Sequence, residues 1–158
     1  NMWKEMMDLE IGMKAPNFSL NNHKDVNKIN KNYEGKKLVI YFYPKDDTPG
    51  CTKESCKFRD LNFELNNLNT ETIGVSADGK ESHIDFINKF NLNFDLLSDI
   101  NYKMSKDYGT FYVSDEFGNS IKRTTFLISE NGLIINIWKN IKSPESHPDD
   151  VINFLKSN

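Results

Sequence analysis

The apolar positions fall into two kinds of pattern that alternate along the chain. Lys37 to Tyr43 (KLVIYFY) is an unbroken apolar and β-branched run, the pattern of a central strand covered on both faces. Tyr43 to Gly50 is a loop, broken up by two prolines and a glycine. From Cys51 to Leu68 the period changes: Phe58, Leu61, Leu65 and Leu68 recur at helical spacing. Thr48 is the expected N-cap of that helix and Pro49 its first residue. Glu71 to Ser76 predicts a short strand. Glu81 to Phe90 predicts a helix with Ile84, Ile87 and Phe90 as its apolar stripe. Phe94 to Leu97 predicts another strand, and Asn101 to Tyr108 a helix stopped by Gly109. Thr124 to Ile128 and Leu133 to Trp138, joined across Ser-Glu-Asn-Gly, read as a β-hairpin. Pro148 to Lys156 closes the chain as a helix with Val151, Phe154 and Leu155 inward. Strands alternating with helices argue for an α/β sandwich with a partly parallel sheet, made mixed by the late hairpin. The polar stretch Asn21 to Lys31 carries no element in this reading and is too short for a linker. One domain over residues 9–158 is expected, after a lead-in of residues 1–8.

Composition narrows the function. Of 158 residues, 37% are hydrophobic, enough for one core. Lys and Arg number 20 against 23 Asp and Glu, a net charge of -3, which excludes a generally basic nucleic-acid binder but leaves a local basic patch open. No apolar stretch approaches the length of a transmembrane helix. Asn and Lys are so abundant that they carry little information. Arg59 and Arg123 are the only arginines and carry more. Two cysteines, Cys51 and Cys56, exclude a disulfide-stapled scaffold.

Cys51 sits where a loop turns into a helix. A helix start offers unpaired N–H groups and about half a positive charge, both of which favour a thiolate. Bringing a thiol from its usual pKa of about 8.5 down by about two units needs roughly 2.7 kcal/mol. The helix end supplies about half of that, and Arg123, at the head of the hairpin, is the natural source of the rest. Against this stands the ordinary role of a cysteine as a small buried hydrophobe. Cys56 lies five residues further on. Five residues turn about 500°, and the two α-carbons of a helix would stand roughly 8 to 9 Å apart. A disulfide needs less than about 7 Å, so these two cysteines can bond only if the helix start unwinds. Two cysteines at this spacing with no His or Cys cluster make a poor zinc site, and Cys-x-x-Cys is absent. No metal and no cofactor is expected.

The segment YPKDDTPGCTKESC resembles the peroxiredoxins, matching the family's Pro-x-x-x-Thr-x-x-Cys signature at Pro44, Thr48 and Cys51. The second cysteine at plus five marks the bacterioferritin-comigratory, or peroxiredoxin Q, branch. Gly12 to Leu20, Gly74 to Ser76, Glu81-Ser-His83, Leu96 to Asp99, Arg123 to Ile128 and Ser146-His147 agree in order and spacing. The resemblance implies a thioredoxin-like fold, a mixed central sheet flanked by helices, and thiol peroxidase activity on hydrogen peroxide and alkyl hydroperoxides. It makes Cys51 the peroxidatic residue and Cys56 the resolving one, joined in an intramolecular disulfide that thioredoxin or a similar dithiol reduces. In that scheme the Thr48 hydroxyl contacts peroxide and thiolate. The Gly50 and Cys51 amides form an anion cradle, Arg123 orients the peroxide, and Pro44 shields the sulfenic acid from water.

A redox-sensing module that passes its disulfide to a partner protein is the alternative, and a protein disulfide oxidoreductase a third. A monomer is expected, in a reducing intracellular space: the cytoplasm first, with the nucleus and organelles open. Arg59 reads as a surface or partner-facing charge outside the chemistry, and His83 and His147 as capping or packing groups. Tyr41 and Tyr43 read as strand core with hydroxyls at the edge, and Trp138 as core. Phe111 and Tyr112, in the stretch Gly109 to Lys122, mark either an oligomer surface or a cover over the pocket.

Overall fold

The computed structural model describes residues 8–158. Its centre is a five-stranded mixed sheet in the order β5-β4-β3-β8-β9. Strands β3 (Lys37–Phe42), β4 (Thr70–Ser76) and β5 (Asp95–Ser98) run parallel, while β8 (Thr124–Ile128) and β9 (Ile134–Trp138) continue the sheet antiparallel. The parallel strands are linked by helices α1 (Pro49–Asn67) and α2 (Lys80–Phe90), a short α3 (Lys103–Asp107) follows β5, and α4 (His147–Ser157) ends the chain. Two small antiparallel ribbons stand outside the sheet: β1 (Ser19–Asn21) with β2 (Asn27–Ile29), and β6 (Phe111–Ser114) with β7 (Gly118–Ile121).

The unbroken apolar run of β3 is explained by a core on each face. Leu38, Ile40 and Phe42 point into one, with Ile73, Val75, Leu97, Tyr108 and Phe126. Val39, Tyr41 and Tyr43 point into the other, with Phe58 and Leu65 of α1, Phe86 of α2 and Val151 of α4. Gly74 of β4 is glycine because Tyr41 crosses it: a Cβ there would lie 2.8 Å from the Tyr41 Cζ and 2.7 Å from Leu96 Cδ2.

Several details depart from the sequence reading. The polar stretch Asn21 to Lys31 holds β2, a turn and a 3-10 helix (Asn30–Tyr33). Its order comes from a side chain: Asn22 Oδ1 accepts the N–H groups of both Lys24 and Val26. The buried side of α2 carries His83 and Phe86 rather than Ile84, which is half-exposed. The helix after β5 is shorter than expected and starts from Tyr102 in the left-handed region (φ 64°). The hydroxyls of Tyr41 and Tyr43 do not reach an edge. Both side chains are fully buried, and they bond to Ser55 and Asp46. Trp138 is half-buried and packs edge-on to Phe154 and His147. Among the described residues no helix is long and apolar enough to cross a membrane.

Candidate active site

The loop from Tyr43 to Thr48 leaves the carboxyl end of β3 and delivers Cys51 to the first turn of α1. It is tied down by a buried polar cluster. Tyr43 Oη donates to Asp46 Oδ1 at 2.5 Å, Ser82 Oγ donates to Asp46 Oδ2 at 2.9 Å, and the Asp46 N–H donates to Asp78 Oδ2 at 2.8 Å. His83 completes it, with Nδ1 2.7 Å from Asp46 Oδ2 and Nε2 3.1 Å from the Leu97 carbonyl oxygen. Both ring nitrogens thus lie within hydrogen-bond distance of an oxygen atom, one from a side chain and one from the backbone. The cluster fixes the loop between β3 and α2, which makes His83 a structural anchor as expected. Asp46, its main acceptor, was not singled out from the sequence.

Thr48 occupies the N-cap position of α1, but its side chain makes no capping bond. Its Oγ1 donates instead to the Lys45 carbonyl at 2.9 Å. The hydroxyl oxygen keeps its lone pairs as acceptors. Pro49 has no N–H, and the amides of Gly50 and Cys51 lie in the first turn, where no intrahelical acceptor exists. Pro44 is exposed at the head of the loop.

Cys51 is 1% exposed and packs in the cluster formed by Tyr41, Tyr43 and Phe58. Arg123 reaches it across the gap between β8 and α1: Nη2 donates to Cys51 Sγ at 3.4 Å. The other guanidinium nitrogen, Nη1, donates to Glu54 Oε1 at 2.8 Å. Glu54 lies one turn after Cys51 on the same helix face and is wholly buried. Burial raises its carboxyl to about 7 although Arg123 opposes the rise. Burial alone would weaken the Arg123 charge; Glu54 and Cys51 outweigh it and leave its pKa above the ordinary value. Gly50 makes room for this cation, since a Cβ there would sit 3.2 Å from Arg123 Nη2. His147, at the start of α4, accepts from or donates to Thr125 Oγ1 at 2.8 Å, and burial with Arg123 nearby lowers its pKa to about 4.

Cys56 shares α1 with Cys51; both thiols are free, and Cys56 is only partly buried. Burial raises its pKa, Arg59 opposes the rise, and Asp60 adds to it. Arg59 is not the surface charge expected from the sequence. Its Nη1 stands 3.6 Å from Cys56 Sγ and donates to the Phe90 carbonyl at 2.6 Å.

The structure thus joins Cys51, Gly50 and Arg123, sets Thr48 one turn away, and adds Glu54, which the sequence reading missed. A signal for it existed: a glutamate three residues after Cys51 faces the sheet with the cysteine, and a buried carboxylate calls for one of the two arginines.

A cysteine held at a helix start beneath an arginine, on a thioredoxin-like mixed sheet, defines a thiol-based peroxidase. Comparisons with known proteins agree. The model of the AhpC/TSA family matches residues 11–137. The chain is 40% identical to peroxiredoxin Bcp of Bacillus subtilis, over 95% of this chain and 97% of that one. Among solved structures, peroxiredoxin Q of Xylella fastidiosa superposes with a TM-score of 0.89 at 31% identity, covering 96% of this chain and 98% of that one. The bacterioferritin comigratory protein of Xanthomonas campestris, solved in a study of its alkyl peroxide reduction, gives 0.83 at 32% identity, covering 89% and 90%. The chain belongs to the AhpC/TSA family of peroxiredoxins, with its relatives in the Bcp and peroxiredoxin Q group, and it is a thiol peroxidase.

Proposed function

We propose that the chain reduces hydrogen peroxide and alkyl hydroperoxides through Cys51, resolves the product with Cys56 and is recycled by thioredoxin or a similar dithiol. The observation that carries this reading is the single guanidinium that touches both Cys51 Sγ and Glu54.

The Cys51 thiolate attacks one oxygen of ROOH. The S–O bond forms as the O–O bond breaks, and the departing RO⁻ takes up a proton to leave as the alcohol, or as water from hydrogen peroxide. Arg123 lies against the reacting sulfur and favours the charge growing on the leaving oxygen. The free amides of Gly50 and Cys51 offer donors to the same charge. The Thr48 hydroxyl, already donating to Lys45, accepts from the O–H of the peroxide. Pro44 shields the sulfenic acid at the head of the loop. Cys56 then attacks the sulfenic sulfur: the S–S bond forms, the S–O bond breaks, and water leaves. Both cysteines lie in α1, so one chain suffices and a monomer can run the cycle, but the first turns must open. A dithiol restores both thiols by exchange, which suits a reducing intracellular compartment.

The test is peroxide-driven NADPH oxidation coupled through thioredoxin reductase and thioredoxin. Cys51→Ser is expected to abolish turnover. Cys56→Ser is expected to consume one equivalent of peroxide and then stall. Full turnover by Cys51→Ser would refute the reading. Sustained thioredoxin-linked turnover by Cys56→Ser would remove Cys56 from it.

A further inference from the structure

Arg59 holds an unusual place for a helix-surface arginine. Its guanidinium is gripped at both edges. Nε donates to Asp60 Oδ1 at 3.0 Å and Nη2 lies 2.9 Å from the same oxygen. Nη1 carries two hydrogens; one goes to the Phe90 carbonyl at 2.6 Å, and the other faces Cys56 Sγ at 3.6 Å. Two further bonds pin this part of α1 to the segment after α2. Asn93 Nδ2 donates to the Arg59 carbonyl at 3.3 Å, and Asn62 Nδ2 donates to the Asn93 carbonyl at 3.1 Å. The turns upstream of Cys56 are held quite differently, by the Arg123–Glu54 pair and the Tyr41–Ser55 hydroxyl contact.

We infer that Arg59 is a catalytic residue of the resolving half-reaction, presenting a fixed positive charge to Cys56 Sγ as it attacks the Cys51 sulfenic acid. This rests on the resolving role proposed for Cys56. In that step Cys56 gives up its proton, its sulfur bonds to Cys51 Sγ, and the sulfenic oxygen departs as water with that proton. A sulfur that must lose a proton in a partly buried setting needs a cation, and here burial first and then the Asp60 carboxylate work against the thiolate while Arg59 favours it. Arg59 is the cation in contact, and Phe90 and Asp60 prevent it from following solvent. The same clamp marks where the opening of α1 stops. Upstream contacts break while Arg59 stays anchored three residues beyond Cys56, within Coulombic reach of the moving sulfur.

The experiment separates the half-reactions by stopped flow with one equivalent of hydrogen peroxide, following Trp fluorescence and, by quenched mass analysis, the disulfide. Arg59→Met keeps length without charge, and Arg59→Lys keeps charge without the clamp. For Arg59→Met the resolving rate constant at pH 7 is expected to fall about tenfold, because a smaller fraction of Cys56 is thiolate once the cation is gone. The deficit should shrink as pH rises past the Cys56 thiol range, Arg59→Lys should recover part of the rate, and Cys51 sulfinic acid should accumulate at lower peroxide. An unchanged resolving rate, or a deficit of the same size at every pH with no recovery in Arg59→Lys, overturns the inference. Absence of any Cys51–Cys56 disulfide in the wild-type protein would instead refute the parent reading.

Discussion

Arg123 and Cys51 lie 72 residues apart in sequence, yet Arg123 Nη2 stands 3.4 Å from the Cys51 sulfur. The contact exists because β8 pairs with β3, and β3 feeds the loop that starts α1. Glu54 takes the other arm of the guanidinium and sets its angle.

Removing that cation should strike the peroxide step, and it should also lower stability by leaving the buried Glu54 without its partner. Arg123→Met is expected to lower the second-order rate with hydrogen peroxide about 100-fold or more, in line with the loss of one donor to a developing negative charge. Arg123→Lys should recover little of it, since a lysine cannot hold Glu54 and face Cys51 at once. Stopped-flow oxidation of the reduced protein reads both.

Gly50 tests the same arrangement from the other side. A Cβ at this position meets Arg123 Nη2 at 3.2 Å and Pro144 Cγ at 3.5 Å. Gly50→Ala should displace the guanidinium by a few tenths of an ångström and slow peroxide reduction about tenfold, while the melting temperature changes little. Wild-type kinetics in Gly50→Ala would show that the site tolerates the shift.

Tyr41 Oη and Ser55 Oγ, 2.8 Å apart, tie the central strand to the helical turn that must open for the disulfide. Ser55→Ala leaves a buried hydroxyl without its partner and is expected to cost about 1 to 3 kcal/mol in the reduced protein. Because that cost falls on the closed helix, disulfide formation after peroxide should become several-fold faster. Chemical denaturation and quenched-flow mass analysis measure the two effects, and slower disulfide formation would give Ser55 a part in resolution itself.

Two buried groups near Arg123 pull the pH dependence of stability in opposite directions. Glu54 is raised from the usual 4.5 to about 7, first by burial, so its stabilising contribution is full below pH 4.5 and is lost as pH rises through 7. His147 is lowered from 6.5 to about 4, by burial and then by Arg123, so its contribution is present above pH 6.5 and lost as pH falls through 4. Each difference is worth a few kcal/mol at about 1.4 kcal/mol per pH unit. In the wild type the two largely offset between pH 4 and 7. Glu54→Gln should expose a stability that climbs with pH over this range, and His147→Gln one that declines. Urea unfolding at several pH values reads the slopes, and parallel curves for the two variants would contradict the assignment.

The order of main strands and helices, the buried central strand and the cysteine at a helix start were all legible in the chain, because local period and turn residues dictate them. So was the pairing of Arg123 with Cys51, since arginine is scarce in this composition. The β1–β2 ribbon was not legible: it depends on Asn22 folding its side chain onto its own backbone, in a region crowded with asparagines. Ile87 and Phe90 of the expected α2 stripe pack against the core, but His83 stands there in place of Ile84, because Asp46 from a loop far away in sequence gives this polar residue a buried partner.

What the amino-acid order determined alone was the class of chemistry: a sulfur preceded by Thr-Pro-Gly at the mouth of a helix, with a second sulfur too far round the helix to bond without unwinding. Helical periodicity and chain stiffness set those facts over a few residues. Only tertiary structure decided how Arg123 is itself partnered and which charge faces the second sulfur. Glu54 becomes a partner of Arg123, and Arg59 a neighbour of Cys56 held by Phe90, because sheet pairing and the packing of α1 against the α2–β5 segment bring distant atoms into contact, and no local pattern encodes that.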